Sequence, residues 1–475
     1  LSRGHICPKA VALKDLHEDP DRLRAPLKRS TGADGQPCWE TVSWDEALDL
    51  AARSLVEAHN RYGVHAIGIY MGNPAVHNYG MLTHQGNLFR YLRTNNRFSA
   101  TSVDQLPHHL TSLWLFGHKL LFPIPDIDRS DYFLMLGANP VASNGSIWTV
   151  PDVRKRIKAM RARGGKLVVI DPRRTETAEL ADAHHFIRPG TDALFLLALL
   201  NTLFAEGLAD PGHLASFTTG LDEVAHAVRD FTPEYAAAHT DIAASSIREI
   251  ARDFAGFLQG AWQLAARMYL ITHATNFFDS TVGALCRWCA GVDLATLDFM
   301  ISLDPYLNET TRHADIILPP TSPLEHDHYD LAFHVNAVRN TARYNPPVFA
   351  KPEDALHDWE IFSELGARVA TLLGLDAQAT APPEQIVDMG LQLGPYADRG
   401  LSLQKLRDHP SGIDLGPLTP QLPGRLKTQD QLIRCDTPQT LADLQRLRDE
   451  FPIGGNSTTP PELRLIGRRH VRSNN

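Results

Sequence analysis

Apolar and polar positions along the 475-residue chain fall into blocks that predict strands followed by helices. The clearest unit begins at Asp131-Tyr132-Phe133-Leu134-Met135-Leu136, an apolar run of strand length that ends in Gly137-Ala138-Asn139-Pro140. Pro151 to Arg163 then places apolar residues at helical spacing on a basic background and is closed by Gly164-Gly165. A second apolar run, Lys166–Ile170, ends in Asp171-Pro172-Arg173-Arg174-Thr175-Glu176-Thr177. Strand, helix and strand at this spacing predict a right-handed crossover between parallel neighbours. Both strands then end on one rim of the sheet, where open parallel sheets bind their ligands.

The same α/β alternation recurs on either side. Ser43-Trp44-Asp45-Glu46 reads as a capping box opening a helix. The helix face is Ala47, Leu48, Ala51, Leu55 and Ala58, and it ends near Gly63. Ala66 to Tyr70 reads as a short buried strand, followed by a helical stretch to about Asn95. A third α/β stretch runs from Asp298 to Leu318, with strands at Phe299 to Leu303 and Asp315 to Leu318. Ala193 to Phe204 is the most apolar segment; at about half a membrane span it reads as a buried helix. Residues 1–42 read as irregular, and 345–353 and 376–424 as Pro-rich connections flanking a helix at roughly 354–373. Leu463 to Gly467 looks like a strand just begun. There is no tandem repeat and no low-complexity tract.

Composition narrows the class. With 43% hydrophobic and 21% charged residues the chain buries large cores and is not disordered, and its length allows roughly three domains. A net charge of -9, with basic residues interspersed among acids, argues against nucleic acid as a partner. Five cysteines do not make a disulfide framework, so reduced thiols and a cytoplasmic location are the default expectation. No secretory signal is visible, but the chain opens at Leu1 without Met, so its start is not expected to be the biological one.

The chemistry concentrates after the second strand. Two arginines, an acid and several hydroxyls at a strand end suit a large anionic cofactor with sugar or heterocyclic groups. The alternative is an ordinary strand-to-loop turn capped by Asp-Pro. Cys286-Arg287-Trp288-Cys289 has thioredoxin-like spacing, yet no second pair completes a zinc site, and inert core thiols are the expectation. Glu325-His326-Asp327-His328 also has metal-ligand residue types.

Five runs, taken in order, carry a resemblance. They are Gly4-His5-Ile6-Cys7-Pro8-Lys9; Gly137-Ala138-Asn139-Pro140; Asp171 to Ala178; Arg188-Pro189-Gly190-Thr191-Asp192; and Asn308 to Pro319. Together the set resembles the catalytic subunit of the molybdopterin oxidoreductases, the dimethyl-sulfoxide-reductase family. The resemblance implies a multi-domain α/β fold with Rossmann-like parallel-sheet units around a cofactor crevice. It also implies bis-molybdopterin guanine dinucleotide carrying Mo or W, and a [4Fe–4S] cluster. Cys7 stands at the last cluster ligand and Lys9 between cluster and pterin. Asn95 to Gln105 resembles the metal-ligand loop, with Asp104 at the ligand place and Ser102 as fallback. A carboxylate is a suitable hard donor for a high-valent metal. Gln105 stands where formate dehydrogenases have His, which makes formate less attractive as substrate. His108, and His109 beside it, become acid–base candidates.

By the same resemblance Gly137 admits backbone to the dinucleotide and Asn139 reads its polar edge. Asp171 and Arg173 contact the guanosine or phosphate part, and Gly190, Thr191 and Asp192 form a second cofactor loop. Thr310 and Asp315 are weaker carry-overs, and Glu325 to His328 resembles the family's loop after Leu-Pro-Pro, which implies active-site wall or structure rather than a zinc site. The implied organisation is residues 1–42 as a remnant of the iron–sulfur region, 43–100 with 296–375 as an α/β domain, 101–295 as the Rossmann-like dinucleotide-binding domain, and 376–475 as linker and start of a pterin-binding barrel. The other three cluster cysteines, a longer insert between Trp288 and Leu297, and the barrel beyond Asn475 are absent from the sequence, as expected of part of a longer protein. The implied reaction is two-electron oxidation or oxygen-atom transfer on a small substrate. Its partner would be an iron–sulfur electron-transfer subunit or soluble redox carrier, with no membrane span in this chain. A non-catalytic relative or truncated fragment, serving as an electron-transfer or structural scaffold, is the alternative.

Overall fold

The computed structural model describes residues 4–6, 8–99, 101, 105–145, 147–259, 268–272 and 297–452. Cys7, Ser102, Asp104, Cys286, Cys289 and the segment from 453 onward lie outside the described residues.

The stretch before residue 42 is not irregular. Strands β1 (Leu27–Thr31) and β2 (Pro37–Thr41) form an antiparallel hairpin, Leu27 opposite Thr41 and Thr31 opposite Pro37. Its signal is weak because the strands are mostly polar and only partly buried. The hairpin gains its partner from far along the chain. β1 pairs antiparallel with a strand at Ile316–Ile317, which pairs parallel with one at Ile301–Ser302. These are β10 and β9 below, in a sheet of order β9-β10-β1-β2.

Helix α1 (Trp44–Tyr62) starts at the expected cap, Ser43 accepting from the Glu46 N–H at 3.2 Å. The reciprocal half of the box is replaced: the Glu46 carboxylate accepts from Lys28 Nζ at 3.1 Å. The buried face is Ala47, Leu48, Ala51, Ala52 and Val56, while Leu55 and Ala58 are only partly covered. The strand expected at Ala66 to Tyr70 is displaced. A 3-10 turn occupies Val64–Ala66, and β3 spans Ile69–Met71 with Tyr70 exposed. Its partner, β4 (Arg97–Ser99), lies parallel to it. Between them runs α2 (Tyr79–Leu92), and α3 (Leu106–Phe116) follows.

The central layer is as the apolar runs imply. Strands β5 (Tyr132–Leu136) and β6 (Lys166–Ile170) are parallel neighbours in register Tyr132↔Lys166 to Leu136↔Ile170. Helix α4 (Val153–Ala162) connects them. Beside β6 lies β7 (Ala183–His185), then come α5 (Asp192–Ala205), α6 (Pro233–Thr240), α7 (Ala244–Gln259) and β8 (Met268–Thr272). β8 returns to the far side of β5, so the all-parallel order is β7-β6-β5-β8. Period-two alternation buries both faces. Tyr132, Leu134, Leu136, Val168 and Ile170 pack on α5 and α7, whereas Phe133, Met135, Leu167 and Val169 pack on Ile157 and Met160 of α4. Each such fully buried apolar side chain contributes about 1.5–3 kcal/mol.

After β9 (Ile301–Ser302) and β10 (Ile316–Ile317), helix α8 (Asp358–Leu372) closes the first layer against α1 and α2, in one core that joins Ala47, Leu88, Ile316, Ile361 and Val369. Residues 376–424 are not a bare connection. They form α9 (Pro383–Leu393), α10 (Leu403–Arg407) and a strand at Ile413–Pro417 that pairs with Arg339–Ala342. The proline count hid these short elements; Pro382 and Pro383 stand at the start of α9, where proline is tolerated. Among the described residues no helix is long and apolar enough to cross a membrane.

Candidate functional site

The chain order of the parallel sheet reverses at β5: β6 and β7 lie on one side, β8 on the other. The crevice outside the carboxyl ends of the strands at such a reversal is where open α/β sheets take their ligands. The residues singled out in the sequence stand there. Gly137 follows β5 with a positive φ of 61°, a conformation that glycine adopts without steric cost, and its N–H donates to the Ile170 carbonyl at 2.8 Å. This bond carries the β5–β6 pairing one residue past the strands and brings the two strand-end loops side by side.

Asp171 follows β6 and is buried, with 6% exposure. Its Oδ1 accepts the Arg173 N–H at 2.8 Å, and its carbonyl accepts from His184 Nε2 at 3.1 Å. Burial pushes its carboxyl above the usual aspartate range, and the nearby Asp192 charge acts in the same direction; the Arg173 N–H and guanidinium pull it back. Among the described residues, neither the Arg173 nor the Arg174 guanidinium forms a side-chain hydrogen bond.

The third loop lies beyond β7. Gly190 has a φ of 85°, and Thr191 is buried with its hydroxyl donating to the Arg188 carbonyl at 2.7 Å. Asp192 opens α5, so the first turn of a 14-residue helix faces this rim. The helix dipole favours negative charge at this end.

Asn139 is held by the neighbouring loop. Its Nδ2 donates to Glu176 Oε2 at 2.7 Å, and its Oδ1 accepts from the Thr177 hydroxyl at 2.8 Å and N–H at 3.3 Å. Glu176 and Thr177 carry this joint. They stood in the quoted run, but their partner lies 37 and 38 residues earlier, a separation no local pattern reveals.

The other candidates lie elsewhere. Lys9 is in a helical turn, Pro8–Val11. His108 sits on α3 with its ring edge-on to Phe122, and the His109 ring accepts Phe122 as a tilted neighbour. Asp315 is spent on structure: it accepts from Arg29 at 2.7 Å and from the Met300 N–H at 2.8 Å. Glu325 is also structural, in a bidentate pair with Arg22 at 3.1 Å and 3.1 Å.

A family model, molybdopterin oxidoreductase, matches residues 22–368. The chain belongs to the molybdopterin oxidoreductase family. Within it, formate dehydrogenase H of Escherichia coli (strain K12) is 31% identical over 263 residues, covering 54% of this chain and 35% of that protein. A dimethyl sulfoxide/trimethylamine N-oxide reductase of Cereibacter sphaeroides is 30% identical over 275 residues, covering 52% and 33%. The chain thus spans about a third of the length of the curated relatives it matches. Among solved structures, acetylene hydratase from Pelobacter acetylenicus superposes with a TM-score of 0.69 at 17% identity, covering 94% of this chain and 74% of that one. That likeness shows the molybdopterin oxidoreductase fold.

Proposed function

We propose that the chain carries the dinucleotide-binding part of a Mo or W oxidoreductase, and that bis-molybdopterin guanine dinucleotide lies along the carboxyl rim of β5 to β8. The observation that carries this is the pair of guanidinia, Arg173 and Arg174, that form no side-chain hydrogen bond among the described residues, beside the buried Asp171 at the point where the strand order reverses. The donor set fits such a group. Arginines offset phosphate charge in a planar fork, a half-committed carboxylate accepts from base N–H donors, and the dipole of a helix N-terminus favours the negative charge. When bound, the group supplies the two-electron oxidation or oxygen-atom transfer on a small substrate.

The chain's own residues then hold and orient. Gly137 lets backbone come close to the ligand. Asp171 and Arg173 take the guanosine or phosphate part, and Asn139, braced by Glu176 and Thr177, reads its polar edge. Gly190, Thr191 and Asp192 form the third side. By resemblance, Asp104 is the side-chain ligand of the metal, Cys7 one thiolate of a [4Fe–4S] cluster, Lys9 the residue between cluster and pterin, and His108 an acid–base group. An iron–sulfur subunit or a soluble carrier is the proposed electron partner.

The test is chemical. Protein from the full-length gene, expressed with cofactor synthesis intact, is denatured and oxidised, and released pterin and GMP are measured. About equal amounts of pterin and GMP are expected. Pterin without GMP would remove the guanine dinucleotide, and the absence of both pterin and GMP would contradict the cofactor assignment as a whole.

A further inference from the structure

The joint between the first two loops has a geometry that goes beyond ligand contact. Asn139 meets two consecutive residues of the other loop, Glu176 with its Nδ2 and Thr177 with its Oδ1. Its orientation is fixed, because turning the amide would set an N–H against the Thr177 N–H and an oxygen against a carboxylate. The Thr177 hydroxyl is engaged both ways: it donates to Asn139 and accepts the Val141 N–H at 3.2 Å. Thr177 is 0% exposed. Nearby, Thr175 Oγ1 accepts the Ala178 N–H at 3.1 Å and closes the turn from inside. The segment that carries Asp171 and Arg173 is therefore pinned at two places: where it leaves β6, and at Thr177 against Asn139 and Val141.

We infer that Asn139, Glu176 and Thr177 form a buckle between the two strand-end loops, and that Glu176 and Thr177 are positioning residues for the cofactor site. The inference rests on the cofactor assignment above. The buckle sets the spacing of the Gly137 backbone, the Asp171 carboxyl and the Arg173 guanidinium before the ligand arrives, and so reduces the ordering cost of binding. Its hydrogen bonds are satisfied within the protein. Removing them should loosen the hold on the ligand rather than remove a contact with it.

Thr177→Val keeps the volume and removes both hydroxyl bonds; Thr177→Ser restores them. The full-length protein and both variants are prepared with cofactor synthesis intact. Two quantities are followed: bound pterin per chain, from its fluorescence after oxidation, and the rate at which pterin is lost on dilution. The urea midpoint is recorded alongside. The buckle predicts pterin loss at least about tenfold faster in Thr177→Val, with Thr177→Ser returning to the rate of the unaltered protein. Glu176→Ala, a partly exposed position whose change leaves the core intact, serves where Thr177→Val does not fold. It should speed pterin loss several-fold with an unchanged urea midpoint. Unchanged pterin loss in a folded Thr177→Val or Glu176→Ala protein overturns the buckle and leaves the cofactor assignment standing. Unaltered protein without pterin overturns both.

Discussion

Glu325 illustrates what a single residue's surroundings decide. The residue types from Glu325 to His328 suit a metal, yet Glu325 is 5% exposed and both its oxygens accept from Arg22, itself 4% exposed. Burial alone would raise its carboxyl, but the Arg22 bonds and the Ser322 N–H at 2.7 Å hold it below the usual glutamate range. Breaking such a pair strands a buried charge. Glu325→Ala should therefore cost about 3–5 kcal/mol in chemical unfolding, with Arg22→Ala similar and the double variant much less than the sum. Additive losses would mean that the two do not act as a pair. At this scale residue identity was legible and partnership was not. Asn139 stood out as a candidate, but its bonds to Glu176 and Thr177 depend on the register of two loops that only the folded sheet brings together.

Elements were legible where hydrophobic period was strong. The β5–α4–β6 unit and the helix at 192–205 follow their apolar runs almost residue for residue. The hairpin at 27–41 was missed because its strands are short and polar and its further partner is distant in sequence, and the helices after 376 because the prolines around them masked an apolar face that includes Val387 and Leu391. The close approach of α8 to α2 is another feature of this kind. A Cβ at Gly366 would stand 2.4 Å from the Asn87 carbonyl oxygen. Alanine has the better helix propensity by about 1 kcal/mol, but overpacking here should outweigh it, and Gly366→Ala is expected to destabilise by about 1–3 kcal/mol. A stabilised variant would contradict the close crossing.

His357, preceding α8, adds a pH dependence. Its ring exchanges a hydrogen bond with the Thr321 hydroxyl at 2.6 Å, and burial pushes its pKa from 6.5 down to about 4. Between those values the unfolded chain takes a proton that the folded chain refuses. Stability is thus complete above pH 6.5 and falls as pH drops toward 4. His77 and His328, also lowered by burial, add to the same slope. In urea titrations at pH 7 and pH 4.5, His357→Gln should show a smaller loss on acidification than the unaltered protein. An equal or larger loss would show that His357 titrates normally.

For the whole molecule, the deciding feature is topological. The family was legible from five separated runs taken in order, two of which carry a glycine whose positive φ is a backbone demand of its own, Gly137 and Gly190. The strand order β7-β6-β5-β8 was not legible, since β8 is recruited to β5 across more than a hundred residues. Yet that order is what turns the loops after β5 and β6 into a rim at a reversal point, with two arginines and a buried aspartate. The most direct test of the central claim is metal analysis of the full-length gene product, expressed with cofactor synthesis intact. The account predicts about one Mo or W per chain, with about four Fe where a [4Fe–4S] cluster is present. Protein folded and pure but free of both Mo and W would contradict it and leave the fold as a scaffold.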